Sequence, residues 1–410
     1  MADAASPVRD VTPVAAGVMA PAGFQSAALH AGIKTATGAL DLAIIAADKT
    51  ASAAGIFTSN LVQAAPIVVS RRHLAASEGR ARAIVVNSGC ANACTGHRGL
   101  TDAERMTAET AAALDTTPEH VLVASTGVIG VNLKMEKVVP AIGNAVAALA
   151  PGKGDEVARA IMTTDLAPKE HAVTVQTARG AFTVGGTAKG AGMIEPNMAT
   201  MLGFLTTDAA VPSAILQRAL KESARETFNA ITVDGDTSTN DCVLVLASGA
   251  CGVTIDEELY PALLDGLLAV SRELAIAIVR GGEGATKLVT IHVRGARTRD
   301  EAHRVAKTIA NSPLVKTAIH GADPNWGRIV AAAGRSGVMF DVERTTVRVG
   351  GVLLFEDGLP HDQNAPLAAR HLNGTDVVIE VDLGPGGSGC TVWTCDLSAE
   401  YVRINGEYRT

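Results

Sequence analysis

The chain has 410 residues, 47% of them hydrophobic and 19% charged, a composition that can bury large cores and excludes intrinsic disorder. Two Trp, three Tyr and seven Phe leave the core to Ala, Val, Leu and Ile and offer few platforms for stacking bases. A net charge of −7 without a block of like charges argues against nucleic acid or an anionic membrane as partner.

In chain order, Val11 to Ile33 carries no charge, but Pro13, Pro21, Gln25 and His30 interrupt any apolar span. That segment predicts neither a signal peptide nor a membrane helix, so the protein is expected in the cytoplasm. Apolar, β-branched runs closed by turn residues predict strands at Leu42–Ala47, Arg82–Val86, Val121–Ala124, Val243–Ala247, Leu288–Val293 and Val377–Asp382. Helical periodicity marks Asp102–Leu114, Lys137–Leu149, Ser213–Thr227, Asp256–Val279 and Asp300–Asn311. Thr101 with Glu104 reads as a capping box, Pro212-Ser213 as a helix start, and Pro140 moves the start of its helix toward Val139. Helices and strands do not alternate regularly, which predicts layered α+β packing over a doubly wound sheet. A boundary is expected after Gly281-Gly282-Glu283-Gly284.

Some motifs carry less chemistry than their pattern suggests. Gly384–Gly389 satisfies GxGxxG, but Cys390–Cys395 after it reads as a strand where a phosphate needs a helix N-terminus, so a hairpin turn is expected. Asp234-Gly-Asp236 opens like a calcium loop, yet Thr239 and Val245 occupy the positions that need Gly and Glu; a helix or loop cap is expected. The cysteines form no CxxC pair and the ten histidines never pair at ligand spacing on one helix, so the expectation is reduced, buried thiols and no metal. His320 is the histidine to watch.

The densest unusual run is Thr187–Leu205: a glycine stretch with Lys189, a turn at Pro196, then Thr200 heading an apolar strand. Read blandly, it is a surface loop entering a strand. Read as chemistry, it is a threonine at a cuttable loop, whose hydroxyl becomes nucleophilic once a new N-terminal amine serves as its base.

Lys189-Gly-Ala-Gly-Met193 followed by Pro196-Asn-Met-Ala-Thr200 closely resembles the autoprocessing site of the ornithine acetyltransferase (glutamate N-acetyltransferase) family of arginine biosynthesis. Further segments are similar to family signatures in family order: Gly32–Lys34, Phe57–Asn60, Asn87–Gly96, Ser125–Gly130, Met162–Asp165, Asp234–Asp241, Gly282–Lys287, Asn311–Thr317, Asp323–Arg328 and Tyr401–Thr410. The resemblance runs from about Pro21 to the last residue. It implies an α+β fold, an Ntn-hydrolase-like αββα sandwich over residues 1–285 with a smaller C-terminal α/β domain over 286–410 whose tail returns to the site. It also implies cleavage between Ala199 and Thr200, with Thr200 as nucleophile, Thr126 and Gly127 as oxyanion donors, and Thr163, Lys189, Glu283, Asn405 and Thr410 as substrate-binding residues. The implied reaction moves acetyl from N-acetylornithine to glutamate in an α2β2 heterotetramer without a cofactor, with acetyl-CoA as an alternative donor. Gly281, and Gly406 with Glu407, depart from the family pattern near the substrate contacts. The competing readings are a related N-terminal-nucleophile amidase or aminopeptidase, and a non-catalytic amino-acid-binding homologue.

Overall fold

A computed structural model describes residues 10–195 and 201–407. Among them nine strands form the first sheet: β1 (Val11–Pro13), β2 (Phe24–Leu29), β3 (Leu42–Phe57), β4 (Arg80–Cys90), β5 (Val121–Val128), β6 (Lys169–Thr177), β7 (Gly180–Lys189), β8 (Leu202–Thr207) and β9 (Cys242–Ala247). Their order is β1-β6-β7-β8-β9-β3-β4-β5, with β2 also on β3. The long strand β3 is the hinge of this sheet. Its first half, Leu42–Ala46, pairs with β2 and β4; after an irregularity before Ala51, Ser52–Phe57 pairs with β9.

Because successive strand side chains face opposite ways, each half of the sheet buries two cores. Ile84, Val86, Leu122 and Ala124 face Leu202, Phe204, Leu244 and Leu246 in a core between the halves. The alternate residues face helices. Val85, Val121 and Val123 pack on α2 (Gly96–Ala113) and α3 (Met135–Ala147); Leu205, Val243 and Val245 pack on α5 (Ser213–Glu226) and α6 (Tyr260–Arg280). The layers therefore run helix, sheet, sheet, helix, the αββα order expected for this sequence. Helices α1 (Ala65–Ala76) and α4 (Gly154–Ala160) contribute Ile67 and Val157 to the middle core.

The remaining chain builds a second sheet from β10 (Leu288–Ala296), β11 (Thr346–Val349), β12 (Val352–Glu356), β13 (Leu359–Pro360), β14 (Asp376–Asp382) and β15 (Ser388–Cys395), ordered β13-β12-β11-β14-β10-β15. Its core packs against α7 (Arg299–Ala310), α8 (Pro313–His320), α9 (Trp326–Gly334) and α10 (Ala365–Leu372). Helix α11 (Ala399–Glu407) ends the described chain. Lys287 joins the two regions: its ammonium meets the carbonyls of Ile319 at 2.8 Å and Leu372 at 2.5 Å, a cation at the C-terminal ends of α8 and α10.

Five local expectations are corrected. The capping box does not form: α2 starts at Gly96, and the Thr101 hydroxyl donates back to the His97 carbonyl within the helix. The earlier start is built by Asn92, whose side chain accepts from Thr95 and donates to the Gly99 carbonyl. Helix α3 begins at Met135 with Pro140 inside it, because the buried stripe Met135, Val138, Ala141, Ile142 and Ala145 outweighs one missing hydrogen bond. Helix α6 begins at Tyr260, since the Asp256 carboxylate accepts from the N–H groups of Glu258 and Leu259 in a turn of its own. Gly384–Gly387 is no hairpin turn: β14 and β15 lie on opposite sides of β10, and the connection passes over its end, with Gly386 donating to the Gly295 carbonyl. Not every thiol is buried, for Cys94 is exposed although all six cysteines are free.

Candidate active site

The cleft that gathers the chemistry, about 290 Å³, opens where β5 and β7 end and β8 and β9 begin. Thr126 and Gly127 close β5, which runs parallel to β4. Gly127 has φ +129°, and a side-chain carbon there would overlap the Gly89 carbonyl carbon and stand 2.6 Å from the Cys90 nitrogen. Only glycine lets the two strand ends come this close. Asn240, buried just before β9, donates to the carbonyls of Ala91 at 2.6 Å and Ser125 at 2.9 Å, tying three strand ends around the cleft. Behind them the Ser125 hydroxyl donates to Asn87, whose amide donates to the Cys90 carbonyl.

Lys189, the last residue of β7, is 9% exposed. Its ammonium donates to the Thr163 hydroxyl at 2.8 Å and the Thr126 hydroxyl at 3.3 Å, with Asp165 at 3.9 Å. Burial lowers the lysine's affinity for its proton, and the Asp165 charge works against that loss. Burial alone would raise the Asp165 carboxyl, but Lys189, Lys169 at 2.6 Å and the Gly190 N–H at 2.7 Å hold it at about 2.

On another wall, Glu283 follows α6. Its N–H donates to the Ala191 carbonyl at 2.9 Å, and its carboxylate accepts from Asn405 of α11 at 2.9 Å. Gly192 makes room for it: a side-chain carbon at 192 would lie 2.6 Å from the Glu283 carboxylate carbon. Asp234 steadies the chain just before the segment that holds Thr200, accepting from the N–H groups of Met193 at 2.7 Å and Ile194 at 2.8 Å. Past that segment, Met201 and Leu202 line the cleft, and the Met201 carbonyl accepts from the Cys242 N–H.

Of the residues singled out in the sequence, Thr126, Gly127, Thr163, Lys189, Glu283 and Asn405 thus line one cleft, although as many as 279 positions separate them in the chain. Ala199, Thr200 and Thr410 lie outside the described residues. Asp165, Asp234, Asn240, Asp241 and Tyr401 were not singled out as site residues; all five sit in signature segments, but a carboxylate that anchors backbone has no spacing of its own. His320 pairs with Asp396 at 2.6 Å, where that carboxylate also accepts from the N–H groups of Thr286 and Lys287. Among the described residues no His, Cys, Asp and Glu cluster fits a metal ion, and no helix is long and apolar enough to cross a membrane.

Fold and cleft together define an αββα protein with a buried lysine and a facing carboxylate where its sheets end. The ArgJ family profile matches residues 25–410, and the chain belongs to that family. It is 48% identical over 401 residues to the arginine biosynthesis bifunctional protein ArgJ of Symbiobacterium thermophilum, covering 97% of this chain and 99% of that one. The protein of the same name from Parasynechococcus marenigrum is 47% identical over 397 residues, 97% of this chain and 96% of its own. Among solved structures, the ornithine acetyltransferase of Mycobacterium tuberculosis complexed with ornithine is 42% identical, with a TM-score of 0.43, covering 46% of this chain and all of that one.

Proposed function

We propose that this chain is an acyltransferase of arginine biosynthesis that cuts itself between Ala199 and Thr200 and moves acetyl from N-acetylornithine to glutamate through an acetyl-Thr200 intermediate. The observation that carries the reading is the cleft itself. A buried cation, Lys189, and a buried carboxylate, Glu283, line it together with the turn at Thr126-Gly127, and the strand that follows Thr200 begins on its wall. Near-full-length identity to two relatives named arginine biosynthesis bifunctional proteins supports the pathway.

In this mechanism the Thr200 hydroxyl attacks the Ala199 carbonyl, shifting the acyl group from nitrogen to oxygen, and water hydrolyses the ester to leave a free α-amine. In turnover that amine takes the hydroxyl proton while the oxygen adds to the acetyl carbonyl. Collapse of the tetrahedral oxyanion breaks the C–N bond, and the departing ornithine amine takes the proton back. The α-amine of glutamate then attacks acetyl-Thr200 and leaves as N-acetylglutamate.

The oxyanion of each step needs donors already in place. The Gly127 N–H and the Thr126 hydroxyl fill that role. Because Lys189 donates to the Thr126 oxygen, the hydroxyl's own hydrogen stays free for the oxyanion. Lys189 and Thr163 suit a substrate carboxylate, and Glu283 with Asn405 suits an ammonium; Thr410 completes the substrate contacts. Residues 1–285 and 286–410 are proposed as the two domains, and the α chain (1–199) and β chain (200–410) left by the cut as the subunits of an α2β2 heterotetramer in the cytoplasm, working without a cofactor. Acetyl-CoA is proposed as a second donor, tested by supplying it with glutamate alone.

The deciding experiment incubates the protein with N-acetylornithine, with and without glutamate. Without glutamate, ornithine release should stop at about one equivalent per site as acetyl-Thr200 forms; with glutamate, ornithine and N-acetylglutamate should accumulate together. Acetate release indifferent to glutamate would replace the transferase by an amidase, and a Thr200→Ala protein that is still cut or still transfers acetyl would remove Thr200 from the mechanism.

A further inference from the structure

Glu283 and Asn405 meet at the cleft, yet each hangs from backbone that must itself be held. Glu283 sits in a turn closed by the Ala285 N–H, which donates to the Gly282 carbonyl at 3.0 Å. Asn405 projects from α11, and residues 396–398 lead from β15 into that helix. Side chains of this lead reach across to the turn. Asp396 is 2% exposed, and its carboxylate accepts from the N–H groups of Thr286 at 2.8 Å and Lys287 at 2.9 Å. It also accepts from the Thr286 hydroxyl at 2.5 Å and the His320 ring at 2.6 Å. Two positions on, the Ser398 hydroxyl donates to the Gly284 carbonyl at 2.6 Å. At Gly284, with φ +68°, a side-chain carbon would overlap the Tyr401 nitrogen, so the first turn of α11 lies directly on the turn that carries Glu283.

We infer that Asp396 is a positioning residue for substrate: it fixes the Glu283 turn against the lead into α11 and so sets where Glu283 and Asn405 meet. This rests on the proposed role of Glu283 as a substrate contact. Asp396 is not among the residues lining the cleft and acts through the backbone on either side of it. Only Gly284 and Ala285 separate Thr286 from Glu283, so a turn released at Thr286 carries the Glu283 carboxylate with it. A displacement of about 1 Å takes the 2.9 Å contact with Asn405 beyond hydrogen-bonding distance. Burial alone would raise the Asp396 carboxyl, but the Thr286 hydroxyl, His320 and the two N–H groups hold it below its ordinary range, so it is charged when it does this.

The test is a double-mutant cycle on acetyl transfer, with Asp396→Asn, Glu283→Gln and the two combined. The amide of Asp396→Asn keeps the shape but turns an NH2 toward donors where an oxygen accepted from them. KM for N-acetylornithine at saturating glutamate should rise about tenfold, the scale of weakening one hydrogen bond to a charged group, with kcat within about threefold. In the Glu283→Gln background the same change should move KM by less than about twofold, because the effect travels through Glu283. A merely structural role lowers the folded fraction, and hence kcat, and leaves KM where it was. An unchanged KM in Asp396→Asn therefore overturns the inference, as does an equal rise in both backgrounds. If Asp396→Asn does not fold, Thr286→Val takes its place in the cycle, since it removes only the hydroxyl bond to Asp396. It should raise KM about threefold in the wild-type background alone, and an unmoved KM overturns the inference. Glu283→Gln with an unchanged KM would instead remove Glu283 from the substrate contacts, and the inference would fall with that reading.

Discussion

Gly127→Ala tests the strand junction on which the cleft depends. At φ +129° an L-residue is strained, at a cost of about 1–3 kcal/mol. The added carbon also has nowhere to go: it overlaps Gly89 and approaches the Cys90 nitrogen to 2.6 Å, where ordinary contacts are about 3.5–4 Å. Both neighbours are backbone of β4, so the strand ends must part, for about 1–3 kcal/mol more. The sum, about 2–6 kcal/mol, corresponds in a chain of this length to a fall in Tm on the order of 2–7 °C. Parting the strands also moves the 127 N–H, and loss of one oxyanion donor is worth about 100- to 1,000-fold in kcat. Gly130→Ala is the control, since Gly130 has φ +79° but nothing within 4 Å of the added carbon; it should show the strain without the clash. Thermal unfolding and acetyl-transfer kinetics on both variants decide the matter. A Gly127→Ala protein no less stable than Gly130→Ala, with kcat within about twofold of wild type, refutes the close-approach reasoning.

Two further outcomes follow from the charges under the cleft. The Asp165 carboxyl is held at about 2 against an ordinary 3.8, so its contribution is fully present above about pH 4 and lost as pH falls through 2. That contribution is on the order of 2 kcal/mol, so in denaturant titrations the stability gap between wild type and Asp165→Asn should narrow from pH 5 to pH 2; a constant gap contradicts it. Lys189→Met keeps the stem and removes the donor to Thr126 and Thr163, while Lys169 still pairs with Asp165. Steady-state kinetics should show kcat/KM down on the order of 100-fold; an unchanged value removes Lys189 from the site.

The strands legible in the sequence were those built from β-branched apolar residues, such as Val121–Ala124, the first half of β5, and Val243–Ala247, nearly all of β9. Strands β6 and β7 escaped. Their residues include Lys169, Glu170, Gly185 and Gly186, chosen for neighbours that only the fold supplies: Leu205, Val270 and Leu274 fill the space a Gly186 side chain would need. Pro140 misled for a related reason, because a local rule lost to burial along the rest of α3.

By itself the sequence determined the chemical inventory and the layering. Hydrophobic period specifies which faces must be buried, and a run such as Lys189–Thr200 carries its chemistry in the order of its residues. Only the tertiary structure decided which residues share the cleft, and that Glu283 and Asn405, 122 positions apart, meet at 2.9 Å. The partners of a buried charge come from other strands and helices, and an acidic residue reads the same in a sequence whether it will cap a turn, as Asp256 does, or anchor the chain beside the cleft, as Asp234 does.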